Sequence, residues 1–332
     1  MKLKQIPEDF IVEEVIDLNL NKKSSDYSIW KLTKREWESF KIINALAKAL
    51  KTKTRFIGFA GNKDRNAVTT QCISIYKIPK EKIEKIKING AKLEFLGYSV
   101  NRINLGDLKG NNFKVVVRDL DKKIKIPNSL KLENYFDEQR FGNKFNTHLV
   151  GKAILKRDFK LACGLLNLEV KNNDCIGAIK QQQIRLLRFY ISSYQSYLWN
   201  KTLSKILKKE KKIHKFDISI DELVFTTSKI RNFRIPIINF DIEKNKVIDN
   251  IMNEEEIKRE DFIIKEIPEL VTESKYRDAF IDVKNIKCYW DDDELNEGRF
   301  KVELKFFLPK GSYATMLIKK LSVEYNNFVL NA

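Results

Sequence analysis

The chain has 332 residues and carries 63 Lys and Arg against 45 Asp and Glu, a net charge of +18. Such a field draws polyanions and makes phosphate contacts steeply salt-dependent, as an RNA partner would require. Two distant histidines and four scattered cysteines exclude a zinc-type ligand set and a disulfide framework. With no apolar run of about 18 residues and no charged-then-apolar leader, the expectation is a soluble, cytoplasmic protein without a membrane span.

In chain order, Phe10 to Val15 reads as a strand after Pro7, and Tyr27 to Thr33 as a second that alternates polar and apolar residues. Residues 38–50 follow as a helix, with Ile43, Leu46, Ala47 and Leu50 spaced i, i+3, i+4, i+7 on one face. The short apolar run Arg55, Phe56, Ile57 leads into a polar loop from Gly58 to Gln71, and Cys72 to Tyr76 then alternates like a half-buried strand. A short charged helix over Ile83 to Ile88 ends at Asn89-Gly90. Leu93 to Val100 and Phe113 to Arg118 read as strands, parted by a turn region around Gly106 and Gly110.

From about residue 150 helical patterns take over. The longest runs from Gln181 to about Lys208, with Leu187, Ile191, Tyr194 and Leu198 on one face. Residues 209–250 look polar and irregular, and a charged helix is expected to begin near Glu254. Phe300 to Phe306 alternates apolar and charged residues over seven positions, a strong strand signal. Two strand-rich segments flanking a helical one predict an α+β catalytic domain on a mixed sheet, interrupted by an insertion.

The loop at Gly58 carries the chemistry. An acid, Asp64, stands between Lys63 and Arg65 at its tip. Neighbouring cations favour an ionised carboxylate and offset its desolvation, whereas a lone Lys-Asp-Arg is more often a solvated turn. Rival motifs are weak: there is no triphosphate-binding Gly-x-x-x-x-Gly-Lys-Ser/Thr and no Gly-x-Gly-x-x-Gly. Gly58-Phe-Ala-Gly61 spells the Gly-x-x-Gly of a KH-type clamp, a common four-residue string. The lysine run at 208–212 reads as a solvated face.

The string from Gly61 to Gln71 resembles the Gly-x-Lys-Asp-x-x-Ala-x-Thr-x-Gln signature of the TruD family of tRNA pseudouridine synthases. Four further segments are similar to that family in the same order. They are the opening Lys4-x-x-Pro7-x-Asp9-Phe10-x-Val12-x-Glu14, Leu108 to Phe113 with Arg118 beyond it, Asn134-Tyr-Phe-Asp-Glu-Gln-Arg-Phe-Gly142, and Phe306 to Thr315. One position departs: Asp137 follows Phe136 where many members have glycine, an acid expected either to face solvent or to pair with Arg140.

The resemblance implies a bent mixed-sheet catalytic domain over residues 1–155 plus 290–332, with an α/β insertion over 160–285. It implies an isomerase that converts uridine to pseudouridine in tRNA, uridine 13 first and uridine 35 next, with no metal or organic cofactor. Asp64 would be the nucleophile, either adding to the base or helping to expel it from the ribose, with Lys4 the basic residue beside it. Phe10, Phe136 and Tyr313 would stack on the flipped uracil, and Asn134 has the donor and acceptor to read its edge. Lys63, Arg65, Gln139 and Arg140 would support the site or meet phosphate, and Gly311 with Ser312 would form a turn delivering Tyr313. A non-catalytic RNA-binding protein or tRNA chaperone on the same scaffold is the alternative, disfavoured because a binder has no use for such an acid.

Overall fold

Period-two alternation sets most of the first third of the chain into strands: β1 (Lys2–Leu3), β2 (Phe10–Ile16), β3 (Tyr27–Arg35), β4 (Ile57–Phe59), β5 (Val68–Tyr76), β6 (Ala91–Ser99) and β7 (Leu108–Leu120). Helices α1 (Ser39–Ala49) and α2 (Lys80–Glu84) lie among them. After β8 (Leu130–Glu133) come α3 (Thr147–Leu155), α4 (Phe159–Leu166), α5 (Cys175–Lys180) and α6 (Ile184–Leu207). Short strands β9 (Ile213–Ile218), β10 (Asp221–Thr226) and β11 (Arg234–Pro236) precede α7 (Lys246–Glu254). The chain returns to strands with β12 (Tyr276–Asp278), β13 (Phe280–Val283), β14 (Lys287–Asp292) and β15 (Phe300–Pro309), then α8 (Ala314–Glu324). This computed structural model describes residues 1–325.

The described residues fall into two compact units, Met1–Leu130 with Asp282–Ala314, and Lys131–Ile281 with 315–325. The first holds a mixed sheet in the order β14-β15-β7-β2-β5-β3-β6, with β1 added to β7 and β4 to β5. Only β2 and β5 run parallel, Ile11 opposite Val68; the other neighbours are antiparallel. The expected face Ile43, Leu46, Ala47 and Leu50, joined by Ile42, forms one apolar cluster with Trp30 and Leu32 of β3, Ile57 and Phe59 of β4, and Ile73 and Ile75 of β5. α1 thereby covers one face of the sheet and fixes the strands on either side of the 60–67 loop.

In the second unit α6 is central. Leu187, Ile191, Tyr194 and Leu198 are buried as their spacing predicts, joined by Val150, Ile154 and Leu155 of α3 and by Ile248 and Ile251 of α7. This packing draws α3 into the second unit. The chain passes from one unit to the other at 130/131, 281/282 and 314/315.

Three local expectations are corrected. The helix foreseen from about Glu254 ends there instead: Asn245 caps its start by accepting from the backbone of Val247 (3.0 Å) and Ile248 (3.3 Å), and Glu255 is its C-cap. The stretch 209–250 contains an antiparallel hairpin, β9 with β10. The helix foreseen over Ile83 to Ile88 begins earlier, directly after Pro79, which is tolerated at a helix start. Among the described residues no helix is long and apolar enough to cross a membrane.

Candidate active site

The loop between β4 and β5 is built from its strands upward. Gly58 lies so close to the carbonyl of Ile103 that a Cβ would sit 2.3 Å from it, so close backbone packing, not a KH-type clamp, accounts for that glycine. Past Gly61 the backbone N–H of Lys63 donates to Ser39 Oγ (2.8 Å), which donates in turn to Gln71 Oε1 (3.4 Å). The Lys63 ammonium turns inward to Glu14 (2.6 Å), with both side chains buried, and the other oxygen of Glu14 accepts from the backbone of Cys72 (3.1 Å). From β3, Lys34 donates to the carbonyl of Asp64 (3.0 Å) and to that of Trp37. Burial pushes the Lys34 ammonium down to about 8, against the pull of the Asp64 charge.

The side chain of Asp64 meets a cation from the other end of the sequence motif set. Lys4 Nζ lies 2.7 Å from Asp64 Oδ2, with 20% and 27% of the two side chains exposed. The same ammonium stands 4.1 Å from the centroid of the Phe10 ring. Phe10 itself is only 4% exposed and packs edge-on against Phe113, which stacks on Phe306. Lys4 adopts φ +54°, an uncommon value for lysine. The next turn is clamped: Arg118 donates to both oxygens of Asp9 (2.9 and 3.0 Å), to Asp293 (2.8 Å) and to Glu294 (3.1 Å).

Three residues singled out in the sequence, Lys4, Phe10 and Asp64, thus come together. The cation on the carboxylate is Lys4, sixty positions away, and not the adjacent Lys63, whose charge is matched by Glu14. Arg65 is exposed. At the end of the sheet, Ser312 N–H donates to Pro309 O (3.3 Å) across a turn with Gly311 at φ +82°, and the partly buried Tyr313 follows immediately.

In the second unit Asn134 is held by Arg277, which donates to its carbonyl (2.8 Å) and to its side-chain Oδ1 (2.7 Å); Asn134 Nδ2 donates to Asp278 O (3.1 Å). The Arg277 guanidinium lies 4.1 Å from the Phe136 ring centroid, and Asn200 grips the backbone of Phe136 on both sides. Arg140 donates to Ser196 Oγ (3.1 Å), and Gln139 is exposed. Asp137 neither faces solvent nor pairs with Arg140. It is buried and accepts from Thr315 Oγ1 (2.6 Å) and Lys319 (2.7 Å).

Sequence reasoning missed Glu14, Ser39, Lys34 and Arg277. Glu14 and Gln71 were visible as motif members without a role; nothing in the sequence marks Lys34 or Arg277. The assembled chemistry is a carboxylate on an ammonium, its backbone tied from below, at the edge of an aromatic row. That combination suits nucleophilic attack by the carboxylate.

The family model described as tRNA pseudouridine synthase D (TruD) matches residues 1–171, 163–240 and 238–321. The chain is similar to a protein of Methanocaldococcus jannaschii named as tRNA pseudouridine synthase D 2, at 34% identity over 96% of this chain and 91% of that one. It is similar to a Methanococcus maripaludis protein named as tRNA pseudouridine synthase D 1, at 31% identity over 97% and 99%. A crystal structure of a tRNA pseudouridine synthase D homologue from Methanosarcina mazei superposes with a TM-score of 0.69 at 27% identity, covering 97% of this chain and 93% of that one.

Proposed function

This chain belongs to the TruD family of tRNA pseudouridine synthases, and from that membership we propose that it isomerises uridine 13 of tRNA with the Asp64 carboxylate as nucleophile. The observation that carries the reading is the ion pair of Lys4 with Asp64 at 2.7 Å, over the Phe10 ring. The reaction breaks the C1′–N1 bond, turns the uracil, forms a C1′–C5 bond, loses the C5 proton and gains one at the freed N1, so atoms balance with no net redox change. A carboxylate can bond transiently to the base or to the ribose during that exchange. Lys4 matches its charge before attack and would hold the leaving carboxylate afterwards.

The uracil must leave its stack to be reached, and Phe10, Phe136 and Tyr313 are assigned to replace that stacking. Asn134, its amide oriented by Arg277, is assigned to the uracil edge. Arg65, Gln139 and Arg140 are assigned to phosphate or loop support, and Lys63 to holding the loop through Glu14. The insertion over 160–285 is assigned to gripping tRNA away from the target, in the cytoplasm. The test is pseudouridine mapping on an unmodified tRNA transcript with wild type, Lys4→Met and Asp64→Asn. Conversion at position 13 by wild type alone supports the assignment. Conversion at position 35 would move the target, and a tRNA that binds while every uridine persists would make the chain a binder.

A further inference from the structure

Lys34 stands where the sheet calls for an apolar residue. Along β3 the alternate positions Trp30 and Leu32 enter the core under α1, and Lys34 continues that face at 1% exposure. Burying an ammonium is costly unless it is bonded. Its bonds go to two backbone carbonyls, those of Asp64 (3.0 Å) and Trp37. Among the described residues it forms no ion pair. Its strand neighbours, Thr69 on β5 and Ala91 on β6, do not titrate. The charged groups that face it are Asp64 and Lys63 of the loop and Glu38 before α1, with Lys4 reaching it through Asp64.

An apolar residue would fill this position at lower cost, so the ammonium must be retained for something packing does not provide. What it contacts is the carbonyl of the residue assigned the chemistry. Resting on the reading that Asp64 acts, we infer that Lys34 is a positioning residue. Its protonated ammonium fixes the Asp64 backbone from inside the sheet while Lys4 holds the carboxylate from outside, and the reaction slows when Lys34 loses its proton. A neutral amine is a weaker donor than an ammonium, a difference of about tenfold for one such bond. Because burial brings the Lys34 proton into a range that can be titrated, the device can be read as a pH profile.

The experiment is the single-turnover rate on unmodified tRNA transcript from pH 6.5 to 9.5, for wild type and Lys34→Arg. The wild-type rate should fall about tenfold through a midpoint near pH 8. Lys34→Arg keeps its charge, should stay within about tenfold of wild type at pH 7, and should lose that limb. A flat wild-type profile, or the same limb in Lys34→Arg, overturns the inference. If the arginine variant does not fold, ¹⁵N NMR of the lysine ammonium groups decides. A lysine with a midpoint near 8 that drops in Asp64→Asn, where an attractive charge is gone, supports it; no lysine titrating below about 9.5 overturns it. Loss of all pseudouridine formation by wild type would fail the reading of Asp64 instead, and the NMR result would still stand for Lys34.

Discussion

Replacing Glu14 by alanine tests how the 60–67 loop is held. Glu14 and Lys63 are paired at 2.6 Å with side chains 0% and 4% exposed, and the second oxygen of Glu14 accepts the backbone N–H of Cys72. Removing one partner of a buried ion pair costs about 3–5 kcal/mol, because the other charge stays buried and unmatched. An orphaned buried amide adds about 1–3 kcal/mol. The two losses share one site and overlap, so the expected total is about 4–6 kcal/mol. For a unit of this size that lowers Tm by roughly 10–20 °C. Calorimetry gives the shift, and hydrogen exchange at the amides of Lys63 and Cys72 shows whether the loop has opened. Glu14→Leu with Lys63→Met should recover most of the loss, since a matched apolar pair leaves no stranded charge. A Glu14→Ala protein melting within about 3 °C of wild type, or a double variant no more stable than the single one, would refute the anchoring.

Three other outcomes are expected. Lys4→Met should change stability by about 0–1 kcal/mol, as the pair is partly exposed, while the single-turnover rate falls at least about tenfold; a normal rate in a folded variant would remove Lys4 from the chemistry. Tyr313→Ala or Phe136→Ala should cost about 1–3 kcal/mol in kcat/KM with the salt slope of tRNA binding unchanged, and a lower slope would mean that a phosphate contact was lost instead. Burial works against ionisation of Glu255, but hydrogen bonds and charge from Lys152 and Lys201 outweigh it and hold its carboxyl down at about 2. A depressed carboxyl stabilises the fold fully above its ordinary value near 4.5 and loses that contribution, about 3 kcal/mol at most, as the pH falls toward 2. Melting curves of wild type and Glu255→Gln should therefore converge over pH 5 to 2.5; parallel curves count against it.

What was legible in the sequence follows from period and motif. The alternation of β2, β3 and β15 and the one-sided spacing of α6 are local signals, and the structure places them nearly where they were read. Asp64, Lys4 and Phe10 were legible because each sits inside a motif with its own spacing. What was hidden is what only three dimensions decide. Lys63 is adjacent to Asp64 in the chain, yet its ammonium pairs with Glu14 on the parallel strand and not with Asp64. Lys34 lies beyond the strand as read from the sequence, in phase with Trp30 and Leu32, and only the fold supplies the carbonyl of Asp64 that makes it an interior donor. The β9–β10 hairpin escaped notice because His214, Lys215 and Asp217 interrupt the apolar pattern of a strand that is never fully buried. Arg277 belongs to no motif; its stacking on Phe136 depends on a pairing across about 140 positions.

The most direct test of the central claim is single-turnover pseudouridine formation on unmodified tRNA by wild type and Asp64→Asn, with tRNA affinity measured on the same preparations. The account predicts that Asp64→Asn binds tRNA within about tenfold of wild type and forms no pseudouridine. An Asp64→Asn protein turning over within about tenfold of wild type would contradict it, because the carboxylate held by Lys4 would then not be the nucleophile.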